Sequence, residues 1–511
     1  MHGGVKAIGD GAEAAGPGGA EPELGPADVL DSPEATQRVI RGSLIRTGSY
    51  IVSILAGVAS LPFLFRHLGV VDSGRYVTVI TIVTMVISVV ETGLWAISIR
   101  EYSLRTAGER WGLMSDLIGL RMAAFAIAAA GALAFMIVAG YPQLLVAGVA
   151  IAAVGASLEV VSSAYGVWLS TSLHLGWLAA MQVARQAVAV VLTIVLVVLE
   201  APLIDFFILL VAAGVAQFVV SYVATRRAIP HLPSRHARAW VALVRKSAPY
   251  VAAMVIGVVY FRTAMILMSL LSTDAETGYF GVPFRLVEIV TLVSILMMSS
   301  AFPILARSAD RDRARHRYAL SRLSDVALII GAWVAVVCLV GAGFIIEVLA
   351  GPGFGPSVDI LRLLTVSLAT KFVVAAWAFA LLSLEEYRGV LVANAAALVI
   401  AVTLTVLTVP ALGATGGALA TIVADVVLVV GYGWVLVRNR TDISLPKRTG
   451  GAVGLAVACS VGLALVVPLP GVARMALATL VYGAVLVLTK AIPHELAMAL
   501  PWRRAARSSS P

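Results

Sequence analysis

The sequence predicts an all-α polytopic membrane protein of fourteen transmembrane helices, arranged as two six-helix lobes plus two C-terminal helices. Three observations carry this. Apolar runs of about twenty residues, enough to cross a hydrocarbon core, recur along the chain. Of its 511 residues 60% are apolar and only 13% charged, about half the charged share of a soluble chain. Lys and Arg crowd into every second connecting loop, as they do on the cytoplasmic side of membrane proteins.

Residues 1–37, rich in Gly, Ala, Pro and Glu, lack hydrophobic periodicity and are expected to be a disordered cytoplasmic tail. They have no charged stretch leading into a short apolar core and so do not read as a signal peptide. Fourteen spans follow, at about 43–65, 76–98, 117–139, 143–170, 177–199, 203–225, 247–271, 279–304, 324–350, 358–384, 389–410, 416–437, 449–468 and 471–490. The first six make an N-lobe (38–227). A basic cytoplasmic linker (228–246) leads to a C-lobe (247–440), then the last two spans (441–492) and a basic tail (493–511). With the N-terminus inside, the inner loops hold twenty-seven Lys and Arg, and the outer loops only Arg66, Arg75 and Arg474. That asymmetry predicts cytoplasmic termini and a multi-pass protein of the cytoplasmic (inner) membrane.

The chain also repeats weakly. Gly74-Arg75-Tyr76 opens the second span and Gly278-Tyr279 the eighth, and basic loops follow both spans. Six spans per copy make this a parallel repeat, with a pseudo-two-fold axis along the membrane normal. The net charge of +9 flanks spans and suits anionic lipid headgroups rather than nucleic acid. Cys338 and Cys459 fall inside apolar spans without disulfide or metal spacing. No cofactor and no metal site is expected. The outer loops are too short to assemble a catalytic site, so an enzyme is not expected. The Gly351-Pro352-Gly353-Phe354-Gly355-Pro356 run lacks the Lys and Ser/Thr of a phosphate-binding loop and reads as a turn.

Ionisable groups inside spans are costly and mark candidate function. The cations are Arg185, Arg262, Arg285 and Lys371; the acids are Glu91, Glu159, Glu288 and Asp425. Arg262 and Arg285 lie about 10 Å from the outer ends of an antiparallel helix pair. A guanidinium stays charged when desolvated and grips two phosphate oxygens at once. Two readings stand for each cation: binding of an anionic head group, or pairing with an acid, as Arg285 can with Glu288 three residues on. The acids are candidates for ion coupling or for those same pairs. Tyr165, Trp168, Gln182, Tyr260, Trp377 and Asn394 could contact a sugar, although ordinary helix packing accounts for each.

Segment 43–105 resembles the first two helices of the oligosaccharide flippases, the O-antigen and polysaccharide repeat-unit translocases of the MOP (multidrug/oligosaccharidyl-lipid/polysaccharide) exporter superfamily. The likeness rests on Phe65-Arg66-His67-Leu68-Gly69, Gly74-x-Tyr76, Glu91-Thr92-Gly93-Leu94 and Arg100. It continues through Gly278-Tyr279-Phe280 with Arg285, Pro303, Leu361-Arg362-Leu363-Leu364 and the Gly413 to Thr421 segment with Asp425. Pro62 and Arg66 stand four apart where the family often has them adjacent, and Glu91 stands where it frequently has Asp. The resemblance implies alternating access and a cationic cavity, with Arg262 and Arg285 first, then Lys371 and Arg185, holding the diphosphate of an undecaprenyl-linked oligosaccharide. It also implies membrane lipids and polysaccharide polymerase or assembly proteins as partners. A cation-coupled multidrug exporter and a lipid II-type flippase are the alternatives.

Overall fold

The computed structural model describes residues 33–229, 233–234, 236, 240–241, 245, 248–309, 313–439 and 447–491. The parts of both tails, the linker and the loops expected at the remaining positions lie outside the described residues. The elements are α1 (Pro33–Leu104), α2 (Ala107–Val138), α3 (Gln143–Thr171), α4 (Leu175–Val198), α5 (Leu203–Thr225), α6 (Ala248–Leu271), α7 (Asp274–Ser299), α8 (Phe302–Ala309), α9 (Arg313–Ala350), a 3₁₀ turn (Pro352–Phe354), α10 (Gly355–Ser383), α11 (Tyr387–Leu412), α12 (Ala414–Arg438), α13 (Lys447–Val466) and α14 (Gly471–Leu488). Among the described residues thirteen helices are long and apolar enough to cross a bilayer.

The first of these is two spans. A straight 72-residue helix would run about 108 Å, far beyond a hydrocarbon core of about 30 Å. Gly69 breaks it with φ +67°, a left-handed conformation that glycine adopts without a Cβ penalty. The chain doubles back there: Arg46 and Tyr50 of the first limb line the same cavity as Trp95 of the second. The fourteen expected spans are therefore all present.

Three boundaries differ from the sequence expectation. Helix α1 starts at Pro33, inside the segment read as tail; a fixed φ makes proline a natural first helical residue. The eighth span ends at Ser299, and the separate eight-residue α8 follows it. The ninth begins at Arg313 rather than near 324, because its first turns are too polar to register as hydrophobic.

Helices α1–α5 pack as one lobe and α6–α12 as the other, joined where α1 lies against α6 and α7. The N-lobe core gathers around Phe207, Tyr165, Leu117 and Met114, the C-lobe core around Phe372, Trp377, Leu381 and Leu436. Helices α13 and α14 pack on each other and on α9: the Tyr482 hydroxyl donates to the Ile329 carbonyl at 2.8 Å, and Gly341 faces Met475. Large apolar side chains such as Val138 and Leu488 stand outside the bundle, where lipid is their natural solvent.

The lobes meet closely at the Gly69 end, the end predicted as outer. A Cβ on Gly74 would lie 2.1 Å from the Asp274 carbonyl oxygen, and one on Gly278 would lie 2.1 Å from the Val70 carbonyl oxygen. Each glycine thus meets the carbonyl four residues before the other. This reciprocity is what a two-fold crossing of repeat-equivalent helices produces. Arg75 Nε donates to Asp274 at 2.7 Å and Arg75 Nη1 to Asp72 at 3.0 Å. Arg66 reaches the Glu347 carbonyl at 2.8 Å, and the hydroxyls of Tyr141 and Ser269 bond at 2.7 Å. Replacing Gly278 with Val puts side-chain atoms where backbone stands. It should cost on the order of 3 kcal/mol or more, since overpacking against backbone cannot relax cheaply. A thermal melt of the purified protein checks this, with Gly343→Val, at a site with open space around its Cβ, as the neutral comparison.

Candidate functional site

Every buried cation named from the sequence faces a carboxylate. In the C-lobe, Lys371 of α10 donates to Asp425 Oδ1 of α12 at 2.6 Å, with the two side chains 5% and 0% exposed. The hydroxyls of Tyr260 and Ser367 also donate to Asp425, and the ammonium lies 5.0 Å from the Phe261 ring centre. Three donors and a cation–π contact satisfy both charges inside the lobe. Of the two readings that the sequence leaves for Lys371, the structure shows the pairing with an acid on another helix, buried inside the lobe.

The N-lobe holds a similar cluster that the sequence reading missed. Arg121 of α2 is fully buried. Its Nη1 donates to Glu91 Oε1 at 2.9 Å and Oε2 at 2.8 Å, and also to the Ser163 hydroxyl. Ser163 in turn donates to Glu91 Oε1 at 2.5 Å, and Ser98 accepts from Arg121 Nη2 at 3.4 Å. Arg121 stands only four residues into the expected third span and passes for a membrane-edge residue. The signal that would have found it is Glu91, a buried acid on the preceding hairpin in need of a cation.

Between these clusters lie the groups at the lobe interface. Arg185 of α4 pairs with Glu159 of α3 at 3.1 Å, their side chains 30% and 26% exposed. On the facing lobe Arg285 Nη1 donates to Glu288 Oε2 at 2.6 Å, and Arg262 pairs with the same carboxylate. Arg185 and Arg285 come from opposite lobes yet are within electrostatic reach of each other and of Tyr76. The Tyr76 ring stacks on Phe207, centres 6.1 Å apart.

The count decides the character of the site. Five cations (Arg121, Arg185, Arg262, Arg285, Lys371) stand against four acids (Glu91, Glu159, Glu288, Asp425). The surplus sits where Arg262 and Arg285 share Glu288, and the Arg285 side chain is 37% exposed. The expected cationic cavity is therefore a nearly balanced charge network with one unmatched guanidinium at the lobe interface. Of the other polar candidates, Trp377 donates to Ser324 at 3.0 Å, and Asn394 accepts from Tyr432 at 3.4 Å; both are held by C-lobe packing.

Removing one partner of a buried ion pair strands the other charge, at a cost of about 3–5 kcal/mol, whereas removing both is often close to neutral. Lys371→Met alone should therefore lower the melting temperature strongly. Lys371→Met combined with Asp425→Asn should recover much of the loss, measured as a double-mutant cycle in detergent.

No family model and no curated protein matches this chain. Solved structures do. Lipid II flippase MurJ in an inward closed conformation superposes with a TM-score of 0.70 at 11% identity, over 88% of this chain and 99% of that one. An inward-facing multidrug resistance MATE family transporter of the MOP superfamily gives 0.60 at 14% identity, over 78% and 99%. The eukaryotic MATE transporter AtDTX14 gives 0.57 at 12%, over 84% and 99%. An all-α bundle of two lobes that superposes on these transporters over 78–88% of its length shares their fold.

Proposed function

We propose that this chain is a secondary transporter that flips an undecaprenyl-diphosphate-linked oligosaccharide from the cytoplasmic to the outer leaflet of the cell membrane, for surface polysaccharide synthesis. The observation that carries the reading is the pair Arg262 and Arg285 over the single carboxylate of Glu288. In a low-dielectric setting an unmatched guanidinium is stabilised by an anion. A diphosphate offers oxygens at the spacing that guanidinium forks grip. Arg285 is the exposed member and takes the head group. Arg262 tethers Glu288, and Arg185 faces them from the other lobe, released from Glu159 when the phosphate arrives.

An anionic passenger also explains why a cationic drug is the weaker candidate, since it would meet a like charge at the interface. A lipid II-type passenger carries the same diphosphate and fits the same residues; the likeness to MurJ at a TM-score of 0.70 favours keeping it as the second reading. In either case the protein acts as a transporter and not as an enzyme. The inner-membrane location and inward-facing termini rest on the loop charges.

Reconstituted vesicles containing a fluorescent polyprenyl-diphosphate oligosaccharide test this. Arg285→Gln should slow lipid translocation at least about tenfold, the effect of one charge-assisted hydrogen bond, and Arg285→Lys should recover part of the rate. Unchanged translocation by Arg285→Gln would refute the head-group assignment, and a lipid II probe in the same vesicles separates the two passengers.

A further inference from the structure

A second cavity, of about 180 Å³, opens within the N-lobe between α1, α3, α4 and α5. Tyr50, Ser163, Gln182 and Gln217 line it beside the apolar Trp95, Leu178 and Met181, with Arg46 at its edge. Gln217 is only 8% exposed, and its Oε1 has no hydrogen-bond partner among the described residues. A buried amide oxygen without a donor is costly and rare in native proteins. Trp95 is held as a wall because α3 carries glycine there: a Cβ on Gly166 would sit 3.4 Å from the indole edge. Ser163 is fixed by its bonds to Glu91 and Arg121.

The lining selects a ligand class. It pairs an apolar face with amides and hydroxyls, and a lipid tail would leave the polar half without hydrogen bonds. Glu91 and Arg121 behind Ser163 neutralise each other, so the wall they back draws neither an anion nor a cation. What remains is a neutral ring rich in hydroxyls. A pyranose presents C–H groups to an indole face and hydroxyls at its rim to amides, and the amide oxygen of Gln217 needs a hydroxyl donor. The volume equals about six waters, room for one such ring.

The position matters as much as the chemistry. Gln182 precedes Arg185 by three residues on α4, and Ser163 follows Glu159 by four on α3. The cavity therefore lies about one helical turn, 5–6 Å, from the Arg185–Glu159 pair, which faces Arg285. We infer that this N-lobe cavity is a saccharide subsite, in which Gln182, Gln217 and Trp95 hold the sugar residue attached to the diphosphate. The inference rests on the head-group reading above and adds that the passenger's first sugar is read by the N-lobe while its phosphates are held at the lobe interface.

Binding to the purified full-length protein tests it with two probes, a short prenyl diphosphate and the same molecule carrying one N-acetylhexosamine. The wild-type chain should bind the glycosylated probe about tenfold more tightly than the bare one, the increment of one or two buried hydrogen bonds. Gln217→Leu and Gln182→Ala should each abolish that increment while leaving affinity for the bare probe unchanged. Gln217→Leu should keep or raise the melting temperature, since it removes an orphaned acceptor. Bare-probe binding without a glycosylation increment would overturn the subsite and leave the head-group reading standing. Binding of neither probe would overturn both. Equal loss of both probes in the glutamine variants, or destabilisation by Gln217→Leu, would show a structural role and overturn the subsite.

Discussion

A charge carried into the interior of a membrane-spanning bundle has to meet an opposite charge there, because neither lipid nor packed helix can solvate it. That constraint organises this protein. Helices are tied in pairs by it: α2 to the second limb of α1, α3 to α4, α6 to α7, and α10 to α12 across the intervening helix. Two of the knots, around Arg121 and Lys371, close within a single lobe and are shielded from the opening between lobes. The other two lie where the lobes face each other and are partly exposed. The same rule that makes each lobe rigid makes the interface between them the place where charge can be rearranged.

The lobes touch toward both ends of the bundle, side chain against backbone where Gly93 faces Val251 and more tightly at the other end. At the Gly69 end, backbone meets backbone through Gly74 and Gly278, with Arg75 and Asp274 beside them. The interfacial arginines lie deeper. The N-lobe cavity opens one turn farther toward the end that bears Arg46. The proposed phosphate and sugar contacts thus form a line from the lobe interface into one lobe. Helices α13 and α14 pack on α9 of the C-lobe.

Much of this was legible in the sequence because bilayer thickness imposes a length that composition reveals directly. The fourteen spans and the glycine repeat at 74 and 278 came from that signal. Acidic partners were legible where they fell one turn away, as Glu288 does from Arg285, and for Glu159 the sequence narrows the partner to Arg185 or Lys371. A partner such as Asp425 for Lys371 depends on which helix faces meet, and hydrophobic runs with little amphipathicity do not say. Arg121 escaped for a related reason: near a span edge, a buried arginine and an interfacial one have the same sequence context. The polar turns at the start of α9 and the short α8 were invisible because a hydropathy argument registers only the lipid-crossing part of a helix.

Contact between two bare helix backbones has a short reach, since dispersion attraction is largely forfeited once atoms part by about an ångström. With no side chains interposed at Gly74 and Gly278, nothing cushions a partial separation. The crossing therefore behaves as a detent rather than a spring: it holds fully or lets go. Two halves hinged this way spend little time ajar, which suits a membrane protein that must never leave a continuous path for ions.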